Sequence, residues 1–241
     1  MTDLELTQHF LTQSDCYKTG RTIVPKGIMV HSPGVAQPDP DVFIKNWDRP
    51  GVDACVHAFV HERGVVQILP WNHRGWHAGV PRNGGVSANN THISFEILEP
   101  AGHTYQGGVM VDYDPVKNAD YFAKVYANAV ALSADLCRQY GLDPLTDIVC
   151  HSEGYQLDIA SNHADVMHWF PKHNKSMDTF RADVKAALAD KGGERPVSWW
   201  AKEAWEKAVA QGVFDGTRPG EALTREQAAL VLDRLGLLDR A

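Results

Sequence analysis

The run Gly27-Ile28-Met29-Val30-His31 is short, apolar and ends on a histidine. A second run of the same kind spans residues 147–151 and also ends on a histidine, His151. Apolar runs of this length with polar ends are typical of buried strands. Ligands collect at the carboxyl ends of strands in an open α/β sheet. The two histidines are therefore candidates for one shared site.

Further strands and helices alternate along the chain. Residues 56–61 and 65–69 are predicted to form a hairpin, and residues 91–98, THISFEIL, a further apolar strand. Apolar side chains recur at steps of three and four through Ala119–Tyr140, which predicts an amphipathic helix that Gly141 terminates. The alternation predicts an α/β fold, with a mixed central β-sheet flanked by helices on both faces.

The chain is predicted to contain two domains. Residues 1–190 form the larger one, residues 191–197 have the glycine, proline and charge content of a linker, and residues 198–241 form a small helical unit. Two helices bury little apolar surface on their own. We therefore expect the small unit to dock or to self-associate.

Composition excludes several classes of partner. The 241 residues carry a formal net charge of -7, which argues against a nucleic-acid partner held through phosphates and gives no general attraction to an anionic membrane. No stretch approaches 18 apolar residues, so no membrane insertion is expected. The acidic N-terminus predicts no secretory signal. The four cysteines show no CxxC spacing, which favours reduced thiols and synthesis in the cytoplasm.

The two strand-end histidines suit half of a zinc site, because a catalytic zinc takes three protein ligands and keeps one open position. His31 and His151 would be two of the ligands. Spacing leaves the third open among His163, Asp165 and His168, which follow His151. The alternative is that the histidines are hydrogen-bonded surface residues and that Asp165 only caps a helix.

Two other features suggest chemistry. Glu96 lies within THISFEIL, where a buried carboxylate is costly unless it has a partner or a task. A raised pKa there would suit a general base, although alternation could equally point Glu96 to solvent. Trp76 and His77, close to Gly79, suit the wall of a cleft for sugar or peptide, or else Trp76 packs the loop onto the core.

Four segments in this order together resemble the zinc-dependent N-acetylmuramoyl-L-alanine amidases, a group that includes many phage endolysins and is related to peptidoglycan recognition proteins. They are IMVHS, VHAFVHERGVVQILPWNHRGWHAG, THISFEI, and VCHSEGY followed by ASNHADVMHWFP. The match covers about residues 20–185. It implies a peptidoglycan hydrolase with one Zn²⁺ that activates water to cleave the amide bond between N-acetylmuramic acid and the L-alanine of the stem peptide.

The resemblance also implies roles for single residues. His31, His151 and Asp165 match the zinc ligands, and Glu96 matches the acidic catalytic residue. His163 stands where many members have a lysine that stabilises the oxyanion, a task that histidine performs only when it donates a hydrogen bond.

The long second segment carries one departure from the family pattern. Val56 stands where some members have a catalytic tyrosine. A valine cannot donate a proton, so Glu96 would carry more of the acid–base work. Trp76, His77 and His57 are expected to bind substrate.

The C-terminal unit resembles an S-layer-homology-type motif, a helical unit that binds the cell wall. The likeness rests on WWAKEAWEKAVAQGVFDG and LTREQAALVLDRLGLL, with Thr224 and Arg225 at the family's Thr-Arg pair. Arg225 is expected to contact an acidic wall polymer, although a capping box with a solvated arginine explains the pair as well. A single copy predicts a homo-oligomer or a weak anchor.

These resemblances lead to a phage or prophage endolysin that is made in the host cytoplasm and reaches the wall after a holin releases it. A peptidoglycan-binding protein without activity is the second hypothesis, but such relatives typically lose a zinc ligand, and all candidates are present here. A histidine-rich metal-storing protein is the third, and it would bind several metals per chain. The host species, the stem-peptide specificity and the oligomeric state stay open.

Overall fold

The two histidine-ended runs become neighbouring strands in the computed structural model. The strands in chain order are β1 (Leu6–Gln8), β2 (Gly27–His31), β3 (Ala58–His61), β4 (Gly64–Gln67), β5 (His92–Ile97), β6 (Thr104–Gln106), β7 (Val109–Val111) and β8 (Ile148–Cys150). The helices are α1 (Asp15–Lys18), α2 (Pro40–Trp47), α3 (Ala119–Tyr140), α4 (His151–Gln156), α5 (Met177–Ala189), α6 (Lys202–Ala210) and α7 (Arg225–Arg234).

The structure describes residues 4–189, 197–214, 216, 219–220, 223 and 225–238. The chain divides into two compact units, a large one that ends at Leu188 and a small one that begins at Ala189. Most of the predicted linker lies outside the described residues. The assignment of one unit to catalysis and the other to wall binding stays a prediction.

Six strands of the described chain form one sheet in the order β1-β4-β3-β5-β2-β8, and β6 and β7 form a separate hairpin. Strands β3, β5, β2 and β8 are parallel, whereas β4 is antiparallel to β3. The prediction of a mixed sheet in an α/β fold is therefore confirmed, as is the hairpin of β3 and β4.

Parallel pairing brings three polar residues to one edge of the sheet. In the register of β2 with β5, His31 lies opposite Glu96. On the other side of β2, Val30 lies opposite Cys150, the last residue of β8. His151 follows directly, but it begins α4 and does not end the strand as predicted. The carboxyl ends of these strands therefore carry His31, Glu96 and His151 together.

Helices cover both faces of this sheet. Helix α3 has the predicted bounds and contacts β3, β4 and β5 through its buried apolar stripe. It ends at Gly141, whose left-handed φ of 67° is easily adopted by glycine. Helix α2 contributes Phe43 and Trp47. The ring centroids of both lie 5.2 Å from the ring centroid of the fully buried Phe59 in β3.

The small unit contains a single helical turn at Trp199–Ala201 and helices α6 and α7. The rings of Trp205 and Phe214 stack at 5.0 Å, and Arg234 donates a hydrogen bond of 3.1 Å to the carbonyl of Val213. Thr224, the predicted cap of the second helix, lies outside the described residues. Across the described ranges, the structure contains no helix with the length and apolar character needed to cross a bilayer.

Replacing Phe59 by alanine is expected to lower the free energy of unfolding by about 3–5 kcal/mol, because a buried ring is lost and a cavity remains. Urea titration monitored by circular dichroism measures the change. Val116→Ala, at a side chain that is 84% exposed, is the control and should change stability by less than about 0.5 kcal/mol. Equal effects at the two positions would contradict this account of the core.

Candidate metal centre

Three ligand atoms from distant parts of the chain meet at the sheet edge. Asp165 Oδ2 lies 2.7 Å from His31 Nδ1 and 3.1 Å from His151 Nδ1, and the two Nδ1 atoms are 3.2 Å apart. Ligands placed tetrahedrally at about 2.0–2.1 Å from a zinc ion are about 3.3 Å from one another. The separations therefore fit three ligands of one small cation.

Each histidine is held by its own element. His31 is the last residue of β2 and is almost completely buried. His151 opens α4, where Glu153 accepts a hydrogen bond from the backbone N–H of Cys150 at 3.0 Å. Arg181 of α5 makes two hydrogen bonds of 3.0 Å with the Glu153 carboxylate and so fixes the start of α4.

Asp165 reaches the histidines from an unusual backbone conformation. Its φ is +49°, in the left-handed region, at the start of a single helical turn that covers Asp165–His168. Aspartate tolerates this region better than most residues. Residues held in sparsely populated conformations cluster at functional sites. The turn directs the Asp165 carboxylate toward both imidazoles.

The surroundings shift the pKa values of these groups. Burial lowers the pKa of His31, although its hydrogen bond to Asp165 opposes the shift. Burial alone would raise the pKa of Asp165, but its close contacts with His151 and His31 outweigh burial and hold that pKa below its ordinary value. A neutral His31 and an ionised Asp165 are the protonation states that a metal ligand needs.

Glu96 is the carboxylate nearest to this group in the sheet register. Its Oε2 atom is buried and has no hydrogen-bond partner among the described residues. Burial raises the pKa of Glu96 well above its ordinary value, and the negative charges of Asp165 and Glu99 add to the shift. A carboxyl group with a raised pKa in a buried site is suited to general acid–base catalysis.

The other two candidates for the third ligand lie elsewhere. His163 is exposed, its Nδ1 is 3.2 Å from Ser161 Oγ, and its ring lies 4.6 Å from that of His151. The ring of His168 packs against Tyr105 at 5.2 Å. Neither belongs to the cluster of candidate metal ligands that the described residues form. Of the three alternatives, Asp165 is the residue that joins His31 and His151.

The two predicted substrate-binding residues of the long loop are partly buried, and both have partners inside the protein. Trp76 pairs through its backbone with Cys55 and packs against the core of the large unit. The ring of His77 contacts His31, with 3.0 Å between His77 Nδ1 and His31 Nε2. Val56, which replaces the catalytic tyrosine of some relatives, is buried in the same core.

His57 is fully buried. Its Nδ1 accepts a hydrogen bond of 3.0 Å from the Ser94 N–H, so its Nε2 donates to the His73 carbonyl at 2.9 Å. Both ring nitrogens are thus engaged inside the protein. The structure corrects the predicted substrate contact of His57 to a structural role.

Two polar residues near the centre were missed by the sequence reasoning. Ser161 Oγ lies 3.2 Å from His151 Nε2. The fully buried carboxylate of Glu99 accepts hydrogen bonds from the Gly34 N–H at 3.1 Å and from the Tyr105 hydroxyl at 2.9 Å. The position of Glu99 at the end of an apolar run, three residues after Glu96, was the available signal.

The fold and the centre define an α/β protein whose His-His-Asp cluster could hold one metal ion. Two imidazoles and one carboxylate are a donor set that suits Zn²⁺ and leaves a position open. The sequence profile of a family described as N-acetylmuramoyl-L-alanine amidase matches residues 20–170. The chain belongs to this amidase family, and the cluster of His31, His151 and Asp165 is consistent with its zinc site.

Similar proteins agree with this assignment. The N-acetylmuramoyl-L-alanine amidase BlyA of Bacillus subtilis (strain 168) is 27% identical over 140 residues, which are 58% of this chain and 35% of BlyA. This chain therefore spans about a third of the length of that curated relative.

Solved structures share the fold. The hydrolase AmiA of Staphylococcus aureus, in complex with its ligand, has 20% identity and a TM-score of 0.58, with 83% of this chain and 90% of that chain covered. A mutant endolysin from Bacillus subtilis has 24% identity and a TM-score of 0.52, with 75% and 99% covered.

The buried His57 predicts how stability depends on pH. Burial lowers the pKa of folded His57 from 6.5 to about 4. Between these values the unfolded chain binds the proton and the folded protein does not. The contribution of neutral His57 to the free energy of unfolding is therefore fully present above pH 6.5. It falls by about 3 kcal/mol as the pH drops toward 4.

Urea titrations from pH 4 to 7 with a chelator present would measure this effect. The pH dependence of His57→Gln should be flatter than that of the wild-type protein. His9→Gln, at an exposed histidine, is the control. Identical profiles for His57→Gln and the wild-type protein would count against a buried, neutral His57.

Proposed function

We propose that this protein hydrolyses the amide bond between N-acetylmuramic acid and the L-alanine of the peptidoglycan stem peptide. Membership of the amidase family supports the reaction and the substrate. The observation that carries the proposal is the convergence of His31, His151 and Asp165 beside Glu96 at one edge of the sheet.

His31, His151 and Asp165 would hold one Zn²⁺ through the two Nδ1 atoms and a carboxylate oxygen. When bound, zinc lowers the pKa of water and polarises a carbonyl oxygen. His31 and His151 are almost fully buried and come from regular elements, and Asp165 is mostly buried beside them, so the ligand atoms would be positioned before a metal arrives. Such positioning reduces the cost of ordering ligands when the metal binds.

Glu96 would move the proton. Its unpaired Oε2 atom is free to accept a proton from the attacking water and to return it to the nitrogen of the departing alanine. The raised pKa of Glu96 suits both steps. Because Val56 cannot supply a proton, Glu96 would serve as both base and acid.

His163 would act on the carbonyl oxygen. It is exposed beside His151 and could donate a hydrogen bond to the negative charge that develops there. This role needs a protonated or suitably oriented imidazole, so His163 would contribute less than the lysine found in many relatives.

The remaining features concern delivery to the wall. We propose that the small C-terminal unit is a weak anchor to a wall polymer or mediates self-association, with the exposed Arg225 at the start of α7 as the anion contact of such an anchor. A phage or prophage lysin released by a holin is the biological setting that we propose. Lysis of cells that express the chain with a holin, and no lysis without one, would support this setting.

Glu96→Gln is expected to reduce hydrolysis by about 10²–10⁴-fold, because general acid–base catalysis typically contributes that much. Zinc content and thermal stability should stay near those of the wild-type protein. The assay digests purified peptidoglycan and detects free muramic lactyl carboxylates and new N-terminal alanine. A chelator should abolish both products.

Glu62→Gln is the matched control, since Glu62 is exposed and pairs with Lys124 at 3.2 Å, away from the centre. Full activity of a folded Glu96→Gln variant would remove this carboxylate from the mechanism. A wild-type protein that binds peptidoglycan and releases no N-terminal alanine would favour the binding-only hypothesis.

A further inference from the structure

The outer nitrogen of each ligand histidine has a side-chain partner. His31 Nε2 lies 3.0 Å from His77 Nδ1, and His151 Nε2 lies 3.2 Å from Ser161 Oγ. The two partners are linked through the backbone, because the N–H of Ser161 donates to the carbonyl of Ala78, the residue after His77, at 2.8 Å. Nothing in the proposed reaction uses His77 or Ser161.

The position of the single proton on a neutral His31 decides which ring donates the hydrogen bond between His31 and His77. A neutral histidine that offers Nδ1 to a cation carries its proton on Nε2. His31 therefore donates from Nε2 to Nδ1 of His77. In the opposite arrangement His77 would donate, and the His31 proton would sit on Nδ1. That proton would occupy the direction in which His31 must coordinate.

The same reasoning applies to His151. Its Nε2–H donates to Ser161 Oγ, whose own proton is then free for the carbonyl of Ala78 at 3.4 Å or for His163 at 3.2 Å. A serine hydroxyl can accept and donate at the same time. Ser161 thus holds the second imidazole with Nδ1 directed inward.

The side chain of Asn89 holds the backbone of residues 77–78 in place. The buried Asn89 accepts hydrogen bonds through Oδ1 from the N–H groups of His77 and Ala78, at 2.8 and 2.9 Å. Gly79 follows with a φ of +63°, and a Cβ atom built there would lie 2.4 Å from Ser161 Oγ. Glycine at position 79 therefore leaves the room that the Ser161 side chain occupies beside residues 77–78.

We propose that His77 and Ser161 are positioning residues that fix the ring orientation and tautomer of His31 and His151, so that both Nδ1 atoms face the metal. The assignment replaces the predicted substrate contact of His77. It rests on the proposed zinc centre. Partners of this kind typically change metal affinity 10- to 100-fold.

The test measures metal binding by the full chain and needs no substrate. His77→Phe keeps the ring and removes the acceptor, and it should weaken Zn²⁺ affinity about 10- to 100-fold in competition with a chromophoric chelator. His77→Asn places a carbonyl oxygen near the position of Nδ1 and should recover most of the loss. The visible spectrum of the Co²⁺-loaded protein should change in His77→Phe and resemble wild type in His77→Asn.

Substitutions at Ser161 test the same proposal independently. Ser161→Ala should weaken zinc binding, and Ser161→Thr, which keeps the hydroxyl, should weaken it less. His73→Phe is the matched control, because it removes an imidazole from the same loop whose ring contacts Tyr17. If His77→Phe fails to fold, the serine pair decides the outcome.

The outcomes separate this inference from the proposed function. Tight zinc binding by the wild-type protein, lost in His31→Ala but unchanged in folded His77→Phe and Ser161→Ala, would overturn the positioning role alone. A wild-type protein that binds no zinc would overturn both proposals. Weaker binding with rescue by asparagine and threonine supports the inference, even if no hydrolysis is detected.

Discussion

The contact between the Asp165 carboxylate and the two Nδ1 atoms is the interaction on which the site depends. Two neutral imidazoles that direct lone pairs at each other and at a carboxylate repel one another unless a cation or a proton lies between them. The two imidazoles are almost fully buried and the Asp165 side chain is mostly buried, so water relieves little of the repulsion. Such an arrangement is stable when a metal ion completes it, and metal binding then contributes to folding stability.

The sheet creates this contact by parallel pairing. Because β2 lies between β5 and β8, a single register brings His31, Glu96 and His151 to one edge from positions up to 120 residues apart. The sequence pattern predicted His31 and His151 because strand ends are readable from apolar runs, whereas it left Glu96 open between catalysis and solvent, and the family resemblance selected it. Helix α3 was equally readable, since its apolar stripe continues over 22 residues.

Other features could not be predicted from the pattern. Strand β1 and the hairpin of β6 and β7 have three residues per strand, too few to show an alternation. Spacing could not separate Asp165 from His163 or His168, because the choice depends on a left-handed backbone at Asp165. Family resemblance selected Asp165, and the geometry places the same residue in the cluster.

Trp76 and His77 in the long loop were predicted to line a cleft, with packing of Trp76 onto the core as the alternative, and the structure shows Trp76 packed against that core. His57 and Trp76 are amphipathic side chains, and sequence alone does not tell whether their polar atoms find partners inside the protein. Here the Ser94 N–H and the His73 carbonyl provide those partners for His57. His77 contacts His31, one of the candidate metal ligands, so this loop supports the metal centre.

The most direct test of the central claim is a crystal structure of the zinc-loaded protein with anomalous data collected on both sides of the zinc absorption edge. One anomalous peak is expected about 2.0–2.2 Å from His31 Nδ1, His151 Nδ1 and an oxygen of Asp165. A peak ligated through the Nε2 atoms, a peak that excludes Asp165, or no peak at this edge of the sheet would contradict the account.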